Sequence, residues 1–545
     1  MNLSFARIAN KIIEWGIIFL IVFTPLAFGT VHPWAYTVME LTICFLVIIW
    51  ILKLIIINIK RTSTIPNPWF NKQIRSLPGL AVRARTLTGW QASPLSAAYR
   101  FSSSLSNIGS VRNPLNIPIM LFVGLILFQL APLPPGVLKF LSPNTYQLYQ
   151  TASPDWQTLP TITQADESSI IHRPSSIVNN PSWKSISTYP HATRTELYKI
   201  LAYIGIFFLI INYSPSTRST QPVTRGHRLQ IKTFITRLIV IFIVVGCFES
   251  IYGLLEYLSG HQHIFFRKKT LNLNFVTGTY INLNHFAGYM AIVICISLGY
   301  ITYILSKSSN FDVSGWREKL SRIINLIGTK AGLLSFLILI MSSALILSGS
   351  RVGICSFITS IILMSIMISK KITIKKILLI LLPVCLMTIW IGLNPVINKF
   401  SRIPKNVEAE GRRPQVWKDT YNLIKEFPTL GTGLGTYEYM FPKYKTYRAQ
   451  VLYDHTHNDY LELMSNTGFT GFFIVIAGAA YYLFMVTRLW LQRRNPFVKG
   501  ITIGCLGGIA YIILHSLTDF NLQIPANALQ LSIITGIMHK TITQL

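Results

Sequence analysis

The segment "YDHTHNDY" (453–460) holds the residues of this chain best suited to proton transfer. A neutral histidine can act as a general base because its pKa lies close to working pH, so His455 and His457 are both candidates. Asp454 or Asp459 can orient the imidazole. The HTH spacing can also chelate a metal, but no softer ligands lie nearby, so we expect none. A belt of histidines at a membrane surface is the alternative interpretation.

A second segment, "GRRPQVWKDT" (411–420), combines two adjacent arginines with a proline and a tryptophan. Pro414 suits the first turn of a helix and places Arg412 and Arg413 at its N-terminus. Helix N-termini favour anions, and a guanidinium fork binds phosphate through two parallel hydrogen bonds. Trp417 can stack on a sugar ring or pack against protein. Adjacent arginines are otherwise common on solvated surfaces.

Arg351 lies in "LSGSRVG" (347–353), between two apolar runs with almost no loop. An arginine at such a depth is costly unless it is paired or meets an anion or water. Two interpretations stay open, a side chain that snorkels to the interface and an anion ligand that lines a cavity.

Asn282, Asn284 and His285 stand in "GTYINLNHFAGY" (278–289), where another apolar span begins. These polar side chains can cap the helix or contact a bound glycan.

The glycines of "GTGLGT" (431–436) invite comparison with a nucleotide-binding loop. Their GxGxG spacing has no strand-to-helix context around it, and such a loop needs one. We therefore expect a tight turn that re-enters the membrane.

Apolar helices must position these segments. The 545 residues are 51% hydrophobic and 12% charged, with mean hydropathy +0.46, whereas soluble domains carry roughly 25% charged residues. Apolar stretches long enough to cross a bilayer recur along the chain. The sequence predicts an all-α membrane protein with about twelve transmembrane helices. The spans are expected at 12–29, 34–58, 115–141, 196–213, 234–258, 284–306, 333–349, 352–369, 377–394, 466–487, 500–516 and 526–539.

The distribution of Lys and Arg among the loops predicts how the chain is oriented in the membrane. The net charge of +30 would suggest nucleic acid for a soluble protein, but the basic residues lie mostly in loops. Five alternate loops together hold 25 Lys and Arg and only two acids, which marks them as cytoplasmic. The loops 142–195 and 395–465 then face outward, the second being the large loop between spans 9 and 10. The outer loop 259–283 is basic, against this trend. The cytoplasmic loops are 59–114, 214–233, 307–332, 370–376 and 488–499.

In this order, the segments resemble the O-antigen ligase/polymerase superfamily of bacterial membrane glycosyltransferases. The resemblance rests on "NLNHFAGY", "SGSRVG", "RRPQVW" followed by "FPTLGTGLGT", and "HTHNDYLELMSNTGFTGF". It covers roughly residues 230–490 and includes the large outer loop. The N-terminal third shares mainly its hydropathy and "PLAFGTVHPWAY" (25–36).

The resemblance implies a metal-independent, inverting glycosyltransferase that needs no cofactor. Such enzymes take a glycan from an undecaprenyl-diphosphate carrier at the periplasmic face of the bacterial inner membrane. The acceptor is a glycan or lipid A core, as in exopolysaccharide or lipopolysaccharide biosynthesis, and both a polymerase and a ligase fit the pattern. The partners are then these substrates and membrane lipids, without nucleic acid.

By its motifs, the resemblance assigns Arg351 and Arg413 to the diphosphate. It assigns His457, which precedes Asn458, to activation of the acceptor, although His455 competes with His457 and Arg412 with Arg413. The implied substrate-binding residues are Arg412, His455, Asn458, Asn284, His285 and Trp417.

Three regions follow from these assignments. Residues 1–230 form an N-terminal transmembrane region, 231–490 the catalytic core, and 491–545 the last transmembrane helices. A non-catalytic flippase or exporter for lipid-linked glycan is the main alternative, and it would carry charges along a central cavity within the spans. A nutrient transporter would show a repeat between its halves, and a structural scaffold would not need the Arg351, Arg413 and His457 set.

The charge bias predicts which loops an impermeant thiol reagent reaches. Single cysteines that replace Ser176 and Lys405 should react when maleimide is added from outside, and one that replaces Ser103 should react only after permeabilisation. Protection of both outer positions in intact cells would overturn the topology.

Overall fold

A computed structural model describes residues 2–64, 113–152, 183–214, 225–307, 329–368, 386, 413–447 and 453–545. These residues are overwhelmingly helical, and their one sheet is a hairpin of two short strands. The predicted all-α membrane protein is confirmed. Much of the loops 59–114, 142–195 and 395–465, together with Arg412, lies outside the described residues.

In the described part of the chain, helices follow one another with short connections. In the first half they are α1 (Asn2–Leu26), α2 (Pro33–Thr64), α3 (Asn116–Leu130), α4 (Pro135–Leu141), α5 (Pro143–Ala152), α6 (Pro190–Asn212), α7 (Arg225–Ser259), β1 (His263–Ile264) and β2 (Arg267–Lys268). In the second half they are α8 (Leu283–Ser306), α9 (Lys330–Leu347), α10 (Arg351–Ile368), α11 (Arg413–Glu426), α12 (Tyr437–Met440), α13 (Asp459–Gln492), α14 (Pro496–His515) and α15 (Pro525–Gln544). Single 3-10 turns occur at Phe28–Thr30, Phe441–Lys443 and Asn521–Gln523.

Nine of the described helices are long and apolar enough to cross a membrane, and they coincide with nine predicted spans. The continuous span over 115–141 is wrong, because prolines 132, 134 and 135 end α3 and start a separate helix, α4. The helix α15 forms as expected, but it is not among the nine. Its Asn527, Gln530 and Lys540 are buried in protein rather than exposed to lipid. The span 377–394 lies outside the described residues.

The helix α8 is the centre of the bundle. It packs most extensively against α14 and also contacts α7, α9, α10 and α15. Gly299 of α8 lies against Gly500 and Gly504 of α14 so closely that a side chain at Gly299 would meet their backbones. Small residues at such a crossing let two helices approach and gain dispersion contacts, which is how helices associate in lipid. The crossing therefore fixes α8 against α14.

The bundle has two distinct ends. At one end Arg267 contacts His32 through Nη1 and the ring Nε2, 2.9 Å apart. At the other end Arg237 pairs with Glu14 at 2.7 Å. Each contact joins segments that the charge pattern places on the same side of the membrane, so the order of the helices agrees with the predicted topology.

The glycine-rich segment forms the predicted tight turn, whereas its re-entry into the membrane stays a prediction. Gly431, Gly433 and Gly435 all have positive φ, where a side chain would be strained. The turn docks on the break in α13, since the backbone N–H of Thr432 donates to the Ser465 carbonyl at 3.0 Å. The break itself is at Gly468, which has φ 64° inside the helix. The turn therefore fixes the segment between α11 and α13 to the bundle.

The helix crossing predicts a specific sensitivity to a single methyl group. In Gly299→Ala the new Cβ would lie 2.7 Å from the Gly504 Cα and still closer to the Gly500 carbonyl oxygen, so the backbones must separate. Such overpacking costs about 1–3 kcal/mol. Thermal unfolding in detergent should show a lower midpoint for this variant. Gly124→Ala is the control, because its Cβ meets nothing within 4 Å, and equal midpoints would contradict the packing argument.

Candidate active site

Four of the residues predicted from the sequence converge on one buried carboxylate, that of Asp519. Its side chain is 1% exposed. The Oδ1 atom lies 3.8 Å from His285 Nε2 and 3.8 Å from His457 Nδ1. The Oδ2 atom lies 3.9 Å from Arg413 Nη2 and accepts a hydrogen bond from Asn284 Nδ2. Asp519 therefore organises a site at one end of the bundle.

The first turn of α8 brings Asn284 to this carboxylate. Asn282 caps the helix by accepting a hydrogen bond from the Asn284 N–H at 2.9 Å. The other end of the Asn284 amide, Oδ1, accepts from Ser350 Oγ at 2.7 Å. Ser350 directly precedes Arg351, which is the first residue of α10. This chain of hydrogen bonds ties the start of α10, and with it the backbone of Arg351, to Asn284.

The helix α11 begins at Arg413, as the proline pattern predicts. Its Nη1 atom donates to the Thr518 carbonyl at 3.0 Å, and the side chain remains 29% exposed. A guanidinium carries five N–H donors, so others are available to a ligand. Trp417 donates its ring N–H to the Thr456 carbonyl at 3.1 Å and so ties α11 to the histidine segment.

His455 is paired with a carboxylate of its own. Its Nδ1 lies 2.7 Å from Glu462 Oε1, and the Thr456 N–H donates to the other oxygen of Glu462 at 3.1 Å. Burial alone would lower the pKa of His455, but the charge and hydrogen bond of Glu462 outweigh it, so the pKa is raised. The ring is therefore biased toward its positively charged form.

His457 is held differently. Its φ is +52°, a left-handed conformation that costs a residue with a Cβ of order 1–3 kcal/mol and that proteins keep mainly where surrounding contacts require it. Nδ1 faces Asp519, which leaves Nε2 as the nitrogen that can accept a proton. Asn458 fixes this backbone, because its Oδ1 caps α13 and its Nδ2 donates to the Leu517 carbonyl at 2.9 Å.

An aromatic ring, Phe520, lies among the three histidines. Its centroid is 4.7 Å from that of His285, 4.6 Å from that of His455 and 4.8 Å from that of His457. The ring therefore packs against all three imidazoles and limits their movement.

The charge on Asp519 is stabilised by its neighbours. Burial alone would raise the pKa of this carboxyl, but the contacts from His285 and His457 hold it well below its usual range. The aspartate is therefore an anion at neutral pH and balances the positive charge of Arg413. Among the described residues, no group of three or more His, Cys, Asp or Glu is arranged to hold a metal ion.

The sequence interpretation missed Asp519, Glu462 and Phe520. The carboxylates that face the two histidine rings are Asp519 and Glu462, whereas Asp459 accepts instead from Ser516 Oγ, at 2.6 Å. A signal was present in "HSLTDFNLQ" (515–523), a polar stretch between two apolar spans. It lies beyond residue 490, so the site draws on the region assigned to the last transmembrane helices as well as on the core.

The fold and the site define a multi-pass membrane protein with a polar cluster of arginine, histidine and aspartate side chains at one end of a helix bundle. Residues 336–476 match the family model described as O-antigen ligase. This match confirms the resemblance to the O-antigen ligase/polymerase superfamily seen in the motifs. The family supports a ligase-type enzyme in a bacterial membrane. No curated protein matches the chain.

The pairing of His455 with Glu462 predicts a pH effect that can be measured without substrate. Diethyl pyrocarbonate reacts with the neutral imidazole, so a raised pKa delays labelling of His455 as the pH rises. In Glu462→Gln the amide can still accept from the Thr456 N–H, but its charge is gone, and His455 should become reactive at lower pH.

Mass spectrometry of the labelled peptides measures this shift. The exposed His191 serves as the internal control and should give the same profile in both proteins. Identical His455 profiles in the two proteins would show that Glu462 does not set its protonation.

Proposed function

We propose that the protein transfers a glycan from an undecaprenyl-diphosphate carrier to an acceptor hydroxyl at the outer face of the bacterial inner membrane. The reaction is a metal-independent, inverting displacement. The observation that carries this proposal is the convergence of Arg413, His457 and His285 on Asp519. Lipid A core and a growing glycan chain are both acceptors of the required chemistry.

The positive groups suit the diphosphate. Arg351 and Arg413 are each the first residue of a helix, α10 and α11. At a helix N-terminus the unpaired backbone N–H groups and the dipole already favour an anion, so each arginine adds a bidentate fork to a favourable field. The biased positive charge of His455 adds to this field. Fixed positive charge of this kind stabilises the negative charge that develops on the leaving diphosphate.

His457 suits the role of general base. Asp519 lies 3.8 Å from its Nδ1, on the side of the ring where a triad aspartate lies, and can stabilise the imidazolium that forms when Nε2 takes a proton. The hydroxyl of the acceptor gives its proton to Nε2 as its oxygen bonds to the anomeric carbon. The bond from that carbon to the diphosphate oxygen breaks on the opposite face, and its electron pair leaves with the diphosphate. A single displacement of this kind inverts the anomeric configuration.

The distribution of charge supports an enzyme and an outward-facing site. The polar groups of the site belong to loops and to first helix turns, whereas an exporter would need them along a cavity within the spans. The loops with the strong Lys and Arg bias are those predicted to lie at the other end of the bundle, and by the positive-inside rule this supports an outward-facing site.

Transfer by the purified full-length protein is the direct test. The protein in nanodiscs is given an undecaprenyl-diphosphate-linked glycan and, separately, a lipid A core or a glycan acceptor, with and without EDTA. We expect one acceptor to be extended through a bond of inverted configuration, at the same rate in EDTA. Movement of the donor across the bilayer without any product would instead identify a flippase.

Substitution of the two histidines should change different kinetic constants in that assay. His457→Gln retains a hydrogen-bonding group but cannot take the proton, so kcat should fall about 10²–10⁴-fold with little change in donor KM. His455→Gln removes a positive charge and should mainly raise the donor KM. The reverse pattern would exchange their roles, and full activity of both variants would exclude a histidine base.

A further inference from the structure

The hairpin formed by β1 and β2, residues 263–268, has no part in the proposed reaction. Its strands pair His263 with Lys268 and Ile264 with Arg267, so Phe265 and Phe266 form a two-residue turn at the tip. Phe266 is 92% exposed. Exposure of a phenylalanine to water is unfavourable, so the tip requires an explanation.

The turn is also built from unfavourable residues. Phe265 has φ +52°, at the first central position of the turn. Two-residue hairpins favour Gly, Asn or Asp where φ is positive, because a bulky side chain is strained there. A glycine would relieve the strain and remove an aromatic ring from the tip. The sequence instead carries two aromatic residues at this position.

The hairpin is fastened firmly to the bundle. The Phe265 N–H donates to Tyr252 Oη at 2.6 Å, and the two rings are 5.3 Å apart. Just beyond the hairpin, Lys269 forms a buried ion pair with Glu256 at 2.8 Å. These contacts leave the Phe266 ring uncovered while its backbone is fixed.

The contacts also set the position of the hairpin tip along the axis of α7. Tyr252 lies seven residues before the end of α7, so the hairpin folds back along the helix by about 10 Å. At this level the exposed side chains of α7 are apolar on either side of Tyr252, and they include Ile251 and Leu255. Trp34, near the His32 partner of Arg267, is exposed as well. Exposed aromatic rings at the end of an apolar surface are typical of the interface between lipid and water.

The charge of the hairpin is one-sided. Residues 259–283 contain Arg267, Lys268 and Lys269 and no acid. The ion pair with Glu256 occupies Lys269, while Arg267 and Lys268 are exposed. Arg267 shares one nitrogen with His32 and has further N–H donors available. Two exposed cations beside an exposed ring complement an anionic phosphodiester above an acyl chain.

We propose that this hairpin is an interfacial anchor that buries Phe266 in the leaflet adjoining the site and binds anionic phospholipid headgroups through Arg267 and Lys268. The anchor acts independently of the chemistry proposed above. It also fixes the height of the site, because the loop that follows it is tied back by the hydrogen bond from Asn272 Nδ2 to the Ile281 carbonyl at 3.1 Å. That loop leads directly into the first turn of α8.

Spin labelling tests the depth of the tip. A nitroxide is placed at Phe266→Cys in a full-length protein whose native cysteines are replaced, and the protein is studied in nanodiscs that contain phosphatidylglycerol. Oxygen, which partitions into lipid, should relax this label more than a water-soluble nickel complex does. Tyr421→Cys on α11, an exposed aromatic position outside the membrane, is the control and should show the opposite order. Equal access of nickel to both labels, or shielding of residue 266 from both reagents, would overturn the proposal.

Headgroup preference is tested with a fluorophore at the same position. Lipids with a nitroxide on the acyl chain should quench it more strongly as phosphatidylglycerol than as phosphatidylcholine. Each basic residue near an anionic surface is worth about a fivefold preference, so Arg267→Gln with Lys268→Gln should remove most of the difference.

The pair Lys418→Gln with Lys425→Gln removes the same charge from the exposed face of α11 and should leave the preference intact. Equal quenching by the two lipids in the parent protein would refute headgroup binding. The depth measured by spin labelling shows whether the hairpin variant keeps its position.

Discussion

A carboxylate removed from water must be compensated, and the architecture of this site depends on that requirement at Asp519. The effective cost of burying such an ion is several kcal/mol even after relaxation. Here the compensation comes from α8, from α11 and from the histidine segment, three parts of the chain that all contact this residue. In the proposed reaction, the same charge balances Arg413 until the diphosphate binds. Asp519 thus serves both the assembly of the site and its readiness for an anion.

The bundle supplies rigid supports for these groups. Asn284, Arg351 and Arg413 all stand in first helical turns, where side-chain positions are defined by the helix and its cap. The close crossing of α8 and α14 fixes one of these helices deep in the protein. The glycine turn fixes the segment that follows α11 to the broken helix α13. The positions of α11 and of the histidine segment are therefore coupled through α13.

Two histidines that are two residues apart acquire different chemistry from their partners. His455 is in direct contact with Glu462, at 2.7 Å, and its pKa is raised. His457 lies 3.8 Å from Asp519, a carboxylate that Arg413 and Asn284 also contact. In the proposed reaction the first therefore contributes charge and the second accepts a proton. Residue type alone does not distinguish them.

The sequence by itself determined the class of protein, most of its spans and the start of α11, because the length of an apolar run, the bias of basic loops and a proline after a helix start are local properties. It also identified Arg351, Arg413, His457 and Asn284 as candidates. The tertiary structure decided which side chains contact one another at the site. Asp519 lies 235 residues from Asn284, and no spacing rule connects them. Even the nearby Asp459, an obvious partner for a histidine by sequence, points its carboxylate at Ser516 instead. Pairing between charges depends on where helix ends meet in space, and that is settled only when the whole bundle packs.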